Sequence, residues 1–575
     1  MTRWQGVSDN PLILTDGQGY YAYLPAIFLY HDLQFSFVQE INKSYYANGK
    51  DAKYVVVSDK GSVNKYFVGT AVMQAPFFIG GCVFSWISGT PADGYSWPFQ
   101  IMIGIAALAY LVAGLYLLGK LLFGLGFSQR TTLFTLAAVL FGTNLLYYSV
   151  YEPSMSHVYS FFTISWFLLS VFKLTERATP TMMISAALAL GLTILIRPTN
   201  AIIVLSVPIL TSGLKGTLLL VNSLFQSWKR LIVVVALFVL IIAIQPIIYL
   251  LQTGSPMVWS YEGESFNFLA PAFLEVLFSY RKGLFVYCPI LLFSIAGIGI
   301  GMPKDKGRYA WFAVFIAALT WLISSWWMWY YGGSFGHRAF IEFFPVFAIG
   351  IAAAIQFSPK VLSKTVVPII GVGLISIQLI QTYQYNKHII PFDNMTEEKF
   401  WNLFLRTGED LAWYYSGYEG QDTYLATDSL QIIHTMEAGL GWGNENQIID
   451  QDAYDGSYAA KMTADDQYGL TFKQTVGSLA LNPDAIRISG WFRSDTRFSD
   501  ISIVCSLEDS TGSSYFWKKY PLRPQFDGRQ WSWCTALFRC GTPRDSTDRI
   551  GIYPMKSDGS TIMVDNLEIS LLKLK

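Results

Sequence analysis

A series of apolar segments between residues 69 and 384 constrains the fold of this chain more than any other feature. A helix of about 20 apolar residues crosses the hydrocarbon of a bilayer, where its backbone polar groups must bond within the protein. Of the 575 residues, 52% are hydrophobic and 14% are charged, which is too apolar for an ordinary soluble enzyme. The sequence therefore predicts a polytopic α-helical membrane domain of ten to eleven apolar segments. They lie at 69–89, 100–122, 131–150, 158–174, 182–197, 200–211, 231–251, 284–301, 309–329, 339–357 and 366–384.

The composition changes after Gln384, where the chain becomes polar and rich in Asp, Ser and Gly. Short runs then alternate between apolar and polar residues and are separated by turn residues, as at 485–492, 501–507 and 561–569. Closely spaced strands of this kind predict an all-β sandwich of the jelly-roll type. The predicted domains are an extracytoplasmic first loop with a juxtamembrane helix at 1–68, a multi-span domain at 69–384, a linker at 385–429 and the β-sandwich at 430–575.

Basic residues flank every second connection between the apolar segments, which orients the membrane domain. Lys120 and Arg130 flank one such connection, and Lys360 and Lys364 lie in the last. Positively charged loops remain on the cytoplasmic side, so these connections are predicted to be cytoplasmic. The alternate loops and the C-terminal domain then face outward from the plasma (inner) membrane. The net charge is zero, so no basic field points to a nucleic-acid partner.

The start of the chain lacks an apolar helix or a signal peptide. The first ten residues resemble the middle of a loop. If 69–89 crosses the membrane fully, residues 1–68 are cytoplasmic; if it is re-entrant, they lie outside. We expect a transmembrane helix to precede this chain in the complete protein.

The outward loops carry the side chains best suited to chemistry. Asp16 opens an aromatic-rich stretch that contains Tyr20 and Tyr21, and an aspartate there is also suited to cap a helix. Glu152 and His157 lie on the same predicted surface, where they are suited to bind an acceptor or a metal ion. Their separation of five positions is poor for two ligands on one helical face.

Three further stretches combine polar residues with membrane-like surroundings. Arg197 stands beside Pro198 in a hydrophobic run, a combination typical of a lined cavity. Glu342 follows Arg338 by four positions in a predicted helix, so the two are expected to pair. The other candidate residues are Arg281 and Lys282 in the 279–289 stretch and Trp327, Tyr331 and His337 in the 326–338 stretch.

Together these stretches resemble the GT-C superfamily of membrane glycosyltransferases, of the protein-mannosyltransferase and aminoarabinose-transferase type. The early Asp followed by a Tyr-rich helix resembles their first extracytoplasmic loop. Residues 279–289 resemble the "RKGLF…SP" stretch, and 326–338 the "WW…GGSFGxR" loop, of uncharacterised bacterial members. Residues 455–462 and 564–569 resemble the first and last strands of galactose-binding-like jelly rolls, a fold that often binds sugar.

The resemblance implies transfer of a sugar from a polyprenyl-phosphate-linked donor to a saccharide, lipid or protein acceptor outside the cytoplasm. Asp16 is then the catalytic base, because a carboxylate must take the acceptor proton. Cations must stabilise the departing phosphate, and the expected ones are Arg281, Lys282, His337 and Arg338. The expected substrate contacts are Tyr20, Tyr21, Glu152, His157, Arg197, Trp327 and Tyr331. The resemblance leaves open a divalent metal ion at the active site and a calcium ion in the β-sandwich, with ligands unknown.

Alternative interpretations remain at the level of the sequence. Arg281 and Lys282 also fit interfacial residues that reach toward the headgroups, and the Trp cluster at 326–329 also fits an aromatic belt. Two other functions are a transporter or flippase of a lipid-linked saccharide and a non-catalytic membrane anchor for a carbohydrate-binding domain. Inverted repeats would favour a transporter, and none is visible in the sequence.

Overall fold

The computed structural model describes residues 11–46, 54–58, 61–226, 228–261, 263–359, 365–393, 395–407, 426–437, 440–479, 481, 483–496, 501–522, 529–539, 543 and 545–574. The predictions for residues 1–10, for Lys360 and Lys364, and for 408–425 of the linker fall outside this set. The chain divides into two compact units, Met1–Tyr383 and Gln384–Lys575.

The first unit is built from helices and one short β-hairpin. Its helices are α1 (Asp16–Phe28), α2 (Val38–Tyr45), α3 (Gly69–Ser88), α4 (Trp97–Gly124), α5 (Gln129–Phe141), α6 (Leu145–Val150), α7 (His157–Glu176), α8 (Pro180–Ile196), α9 (Val207–Leu210), α10 (Leu214–Phe225), α11 (Trp228–Thr253), α12 (Phe273–Phe278), α13 (Leu284–Tyr287), α14 (Leu292–Gly301), α15 (Lys306–Ser324), α16 (Phe344–Phe357) and α17 (Val367–Asn386). The hairpin strands are β1 (Val55–Ser58) and β2 (Gly61–Asn64), and 3-10 helices run over Pro198–Ser206, Pro289–Leu291 and Arg338–Phe343.

Membrane-spanning helices dominate this unit. Within the described residues, seven helices are long and apolar enough to cross a bilayer, or up to eight if the bent pair Pro198–Leu210 and Leu214–Phe225 forms one span. The chain is a multi-pass membrane protein. The predicted number of ten to eleven segments is not confirmed. The segment predicted at 131–150 is broken between α5 and α6, and the one at 284–301 is broken at Pro289, which lacks a backbone donor.

Helix α1 is packed inside the first unit rather than lying on its surface. All of its residues from Gly17 to Ala26 are buried. A Cβ at Gly17 would lie 2.0 Å from Oγ of Ser154, so the helix and the 150–156 turn are in close contact there. The side-chain oxygen of Gln100 accepts hydrogen bonds from the backbone N–H groups of Leu12 and Ile13, at 2.8 and 2.9 Å. The start of α1 is therefore fixed against α4 and the 150–156 turn.

The second unit contains the predicted β-sandwich. Its elements are α18 (Glu397–Leu403), β3 (Ala426–His434), β4 (Ile448–Ile449), β5 (Ala459–Met462), β6 (Phe472–Thr475), β7 (Ala485–Ser494), β8 (Ile501–Glu508), β9 (Ser514–Pro521), β10 (Ser532–Arg539), β11 (Arg549–Lys556) and β12 (Ile562–Leu574). Among the described residues, one sheet has the order β10-β7-β12-β5-β4 with β3 also paired to β12, and the other has the order β6-β11-β8-β9.

Alternation along each strand separates the sandwich core from its outer faces. In β7, the side chains of Ile486, Ile488 and Phe492 are buried in the core, whereas Trp491 and Arg493 are half-exposed on the outer face. The three strands predicted at 485–492, 501–507 and 561–569 correspond to β7, β8 and β12. The predicted β-sandwich is confirmed.

Candidate active site

Asp16 and Arg338 form an ion pair at the start of α1. Oδ2 of Asp16 lies 2.9 Å from Nη2 of Arg338, and their side chains are 28% and 12% exposed. Burial raises the pKa of the Asp16 carboxyl, but Arg338, a hydrogen bond from Tyr66 and the charge of Arg197 outweigh it, so the pKa lies below its ordinary value. Asp16 is therefore ionised at neutral pH. It is the first residue of α1, with Thr15 at the N-cap position, so the interpretation of Asp16 as the cap is wrong.

A second carboxylate, Glu342, lies fully buried beside two basic side chains. Its Oε1 is 3.1 Å from Nη1 of Arg197 and 3.0 Å from Nδ1 of His157. The expected pairing of Glu342 with Arg338 does not appear among the described ion pairs, because Arg338 faces Asp16 instead. Arg338 is thus paired with Asp16 of α1, whereas Arg197 is paired with Glu342 of the 3-10 helix Arg338–Phe343.

Two tyrosines connect the ion pairs. Nε and Nη2 of Arg197 both donate to the hydroxyl of Tyr20, at 3.3 Å. The rings of Tyr20 and Tyr66 are 4.5 Å apart, and Tyr66 hydrogen-bonds to Asp16. A continuous path therefore leads from Glu342 through Arg197 and the tyrosines to Asp16. We call Asp16, Arg197, Arg338, Glu342, Tyr20 and Tyr66 the polar cluster.

The 326–338 loop contacts two cations of the 279–289 stretch. Nζ of Lys282, whose side chain is buried, donates to the carbonyl of Ser334. The guanidinium of Arg281 lies 3.4 Å from the centre of the Tyr330 ring, a cation–π contact. The loop reverses at Gly336, whose φ of 58° is left-handed, and a Cβ there would lie 2.9 Å from the Cβ of Tyr287.

His337 lies in the same loop but carries no positive charge at neutral pH. Burial lowers the pKa of this histidine to about 3. Its Nε2 is 3.0 Å from the carbonyl oxygen of Trp329, which can only accept, so Nε2 holds the proton and Nδ1 is an acceptor. An acceptor nitrogen does not suit a phosphate oxygen. The expected role of His337 in binding phosphate is therefore disfavoured by its own hydrogen bonding.

The remaining predicted site residues differ in their contacts and their exposure. Tyr331 packs between Trp326 and His337, with ring centres at 6.5 and 5.4 Å. Trp327 is half-exposed, with its backbone N–H bonded to Ser265. Glu152 accepts a hydrogen bond from Tyr147 at 3.3 Å. Tyr21 points away from the cluster: it donates to the carbonyl of Gly94 and packs against Phe78 and Tyr95.

Sequence reasoning missed two aromatic members of this region, Tyr66 and Tyr261. Their ring centres lie 6.5 Å apart, and the rings of Tyr261 and Trp326 are 5.8 Å apart. Neither tyrosine stands in a motif, and both reach the site from loops distant in sequence. The salt bridge between Lys65 and Glu264, neighbours of these tyrosines, shows that the two loops meet and is a contact that only the fold reveals.

Several buried polar atoms of the region have no hydrogen-bond partner within the described part of the chain. They include Nε of Arg338, Oε2 of Glu342, Nε2 of His157 and Nδ1 of His337. Buried polar groups are normally paired, so such a concentration is typical of a ligand or solvent site. The described residues contain no group of three or more His, Cys, Asp or Glu side chains arranged to hold a metal ion. The two guanidinium groups and the two carboxylates instead offer both donors and acceptors to a polar ligand.

Comparison with known proteins gives distant likenesses only. No family model and no curated protein matches the chain. Among solved structures, the archaeal oligosaccharyltransferase AglB from Archaeoglobus fulgidus, in complex with an inhibitory peptide and a dolichol-phosphate, has a TM-score of 0.36 and 11% identity, over 69% of this chain and 56% of that one. The xylan-binding domain CBM22-1 from Paenibacillus barcinonensis Xyn10C has a TM-score of 0.20 and 16% identity, over 26% of this chain and 98% of that one. At these TM-scores the likenesses assign neither an activity nor a ligand.

Proposed function

We propose that the chain is a membrane glycosyltransferase that moves a sugar from a polyprenyl-phosphate-linked donor to an extracytoplasmic acceptor. The observation that carries the proposal is the 2.9 Å contact between Asp16 and Arg338, next to the second arginine pair of Arg197 and Glu342. Two carboxylates and two guanidinium groups thus lie together in the membrane domain, and they include the proton acceptor and the cations that such a transfer requires.

In the proposed reaction, the acceptor hydroxyl attacks the anomeric carbon as the bond to the phosphate oxygen breaks. Asp16 takes the acceptor proton, and the polyprenyl phosphate leaves with the electron pair of the broken bond. Arg338 and Arg197 stabilise the developing negative charge, with Lys282 and Arg281 as further cations from the 279–289 stretch. A phosphate that binds Arg338 competes with Asp16 for it. Donor binding would then release Asp16 and raise its affinity for the proton.

The test is transfer of a labelled sugar from polyprenyl-phosphate donors by the purified chain in detergent. Asp16→Asn should lower the rate by roughly two to four orders of magnitude, the usual share of general-base help. The matched control is Asp32→Asn, since Asp32 only accepts local hydrogen bonds from Gln34 and Ser36. Full activity in Asp16→Asn would remove this residue from the mechanism.

Arg338→Ala should raise the KM for the donor more than it lowers kcat, because a phosphate partner is lost. Arg338→Lys keeps the charge but not the forked geometry, and should recover only part of the loss. No transfer by the wild type on any donor, combined with movement of lipid-linked sugar between leaflets of liposomes, would favour the flippase alternative.

The proposed orientation places Lys306, at the start of α15, in the cytoplasm and the polar cluster and β-sandwich outside, at the plasma (inner) membrane. A cysteine introduced at position 306 should react with an impermeant reagent only after the membrane is opened. Reaction from outside intact cells would reverse the orientation, and with it the assignment of the acceptor as extracytoplasmic.

A second candidate function, saccharide binding, is favoured by the outer face of the four-stranded sheet. Trp517 is half-exposed and its Nε1 donates to the hydroxyl of Tyr553 at 3.2 Å, while the ring of Tyr468 lies 5.5 Å from that of Tyr553. Exposed rings with polar edges suit the faces of sugar rings. Trp517→Ala should abolish retardation of the chain by polysaccharides in affinity electrophoresis. Tyr454→Ala, which removes a loop ring stacked at 3.7 Å on Trp491 of the other sheet, should not. Equal retardation in both variants would exclude this face.

A further inference from the structure

A segment outside the candidate spans exposes large apolar side chains. Between α11 and α13, Leu269 is 98% exposed, Met257 84% and Leu274 71%. Phe278, at the end of α12, is also exposed. Isolated apolar residues on a surface are common, but a concentration of them within one short segment is typical of an interaction surface.

Backbone hydrogen bonds fix this segment to the end of a membrane span. The N–H of Asn267 donates to the carbonyl of Ser325 at 2.6 Å, and the N–H of Ala272 donates to Ser324 at 2.9 Å. Ser324 is the last residue of α15, which is long and apolar enough to cross the bilayer. The segment also begins just after Thr253, the last residue of the candidate span α11. It is therefore held where two spans end.

The apolar surface of the segment is continuous with that of α15. Trp321, which is exposed on α15, has its ring centre 4.9 Å from that of Phe268. Phe268 is stacked on Phe266 at 5.2 Å. Exposed side chains on a membrane span face acyl chains, so Phe268 packs beside a residue that is itself in contact with lipid.

Helix α12 presents three different faces. Val276 is buried against the protein, Leu274 and Phe278 share an exposed face one turn apart, and Glu275 is exposed on another side. A helix in the plane of the membrane surface meets the protein, the lipid and the water on three sides. The distribution of these four side chains matches that arrangement.

We propose that residues 255–261 and 263–278 form a membrane-interface segment, whose Leu269, Leu274 and Phe278 side chains insert at the boundary of headgroups and acyl chains. The occupant of this apolar surface is the lipid bilayer, because the surface continues that of α15 and lies at the ends of two spans. A protein partner would have to bind where lipid already surrounds the chain.

One residue of the proposed segment lies next to the polar cluster. Tyr261 belongs to the segment, and its ring lies 6.5 Å from that of Tyr66, which bonds to Asp16. If the proposed glycosyl transfer holds, a lipid-linked donor can approach Asp16 along the segment without leaving the bilayer. The membrane contact itself does not depend on that reaction.

The test measures the depth of single nitroxide labels on the full chain in nanodiscs. Cysteine is introduced at Leu269, Leu274 or, as the matched control, Glu275, after the native cysteines are replaced by alanine. Power saturation should show labels at 269 and 274 more accessible to oxygen than to a nickel chelate, and the reverse at 275. Predominant nickel access at 269 and 274 overturns the proposal, as does burial of all three labels.

A second measurement needs no substitution. The wild-type chain is reconstituted with a phosphatidylcholine that carries a photoreactive group on its acyl chain, and cross-linked peptides are identified after proteolysis. Peptides from 255–278 should be recovered together with peptides from the spans. Cross-links confined to the spans overturn the proposal even if the transfer assay shows full activity, and positive cross-links support it even if no transfer is found.

Discussion

Two buried carboxylates show how differently the two units of this protein use charge. In the β-sandwich, Asp565 is fully buried and accepts three backbone N–H groups, from Tyr454, Asp455 and Asn566, at 2.7 to 3.0 Å. In the membrane unit, Glu342 is equally buried, but one of its oxygens bonds to both Arg197 and His157 while the other has no partner within the described residues. A satisfied carboxylate holds a loop, whereas a half-satisfied one leaves bonding capacity for a ligand.

The buried lysines repeat this contrast. Nζ of Lys556 in the β-sandwich donates to the carbonyls of Ala464 and Asp558, both at 3.2 Å, and thereby closes a turn. In the first unit, Lys282 donates to the loop that ends at Arg338, and its charge helps to lower the pKa of His337. Among the described residues of the β-sandwich, the only buried side-chain oxygen or nitrogen without a partner is Oε1 of Gln447. Unpaired polar atoms are thus concentrated in the membrane unit.

The largest effect is expected for Glu342→Ala, which leaves Arg197 and His157 without their carboxylate. Loss of one partner of a buried ion pair costs roughly 3–5 kcal/mol, so the free energy of unfolding should fall by about that amount. Chemical unfolding in mixed micelles measures it, and the transfer rate should fall as well. In the control Glu264→Ala, the lost partner is Lys65, and because both side chains are partly exposed the loss should stay below about 1 kcal/mol. Equal losses of unfolding free energy in the two variants would show that the buried ion pair of Glu342 stabilises the chain no more than the partly exposed pair of Glu264.

Asp565→Ala should destabilise only the β-sandwich. Three backbone N–H groups lose their acceptor, and because these hydrogen bonds are only partly buried and water can replace the acceptor, each loss costs about 0.5–1.5 kcal/mol. The loop that contains Tyr454 should become sensitive to protease, while the rate of sugar transfer stays unchanged. A loss of transfer with the sandwich still folded would show that Asp565 is not purely structural, and the contrast between the two carboxylates would fail.

The β-sandwich could be predicted more fully than the polar cluster, for a physical reason. Alternation along β7, β8 and β12 is a local property, and it fixes which side chains enter the core. The meeting of Asp16 with Arg338 is not local, because α1 and the 326–338 loop come together only through packing. The polar residue types at Asp16, Arg197 and Arg338 were still informative, since such groups are rare in apolar surroundings. The pairing of these residues could not be predicted: Glu342 was expected to contact Arg338, but it contacts Arg197.

The predicted number of apolar segments is not confirmed, for a related reason. Hydropathy along 131–150 and 284–301 is high, but composition does not show where a helix breaks. At Pro289 the break follows from the missing N–H group, whereas Arg197 ends α8 with an extended backbone and lets its side chain reach Glu342. The break at Arg197 thus brings a polar side chain to the polar cluster, which hydropathy alone does not reveal.

Gly17→Ala should have a moderate effect on both stability and transfer. Its Cβ would lie 2.0 Å from Oγ and 2.8 Å from Cβ of Ser154, so α1 must move and shift Asp16 from Arg338. Overpacking of this kind costs about 1–3 kcal/mol. Adding Ser154→Gly removes both clashing atoms and should restore part of the transfer rate. No rescue in the double variant would show that the position of α1 does not depend on this contact.

The smallest effect is expected for His337→Gln and appears only as a change in pH dependence. The folded chain holds the pKa of His337 at about 3, whereas an unfolded chain has the ordinary value near 6.5. Between these values the unfolded state binds the additional proton, so stability rises with pH and is lost as the pH falls from 6.5 toward 3. Glutamine keeps an N–H for the carbonyl of Trp329 but cannot be protonated. The unfolding midpoint in detergent should therefore decline less steeply between pH 7 and 5, a window above the ordinary pKa of carboxylates. A wild-type slope in His337→Gln would mean that His337 accepts a proton in the folded state, and would return it to the set of cations available to a phosphate.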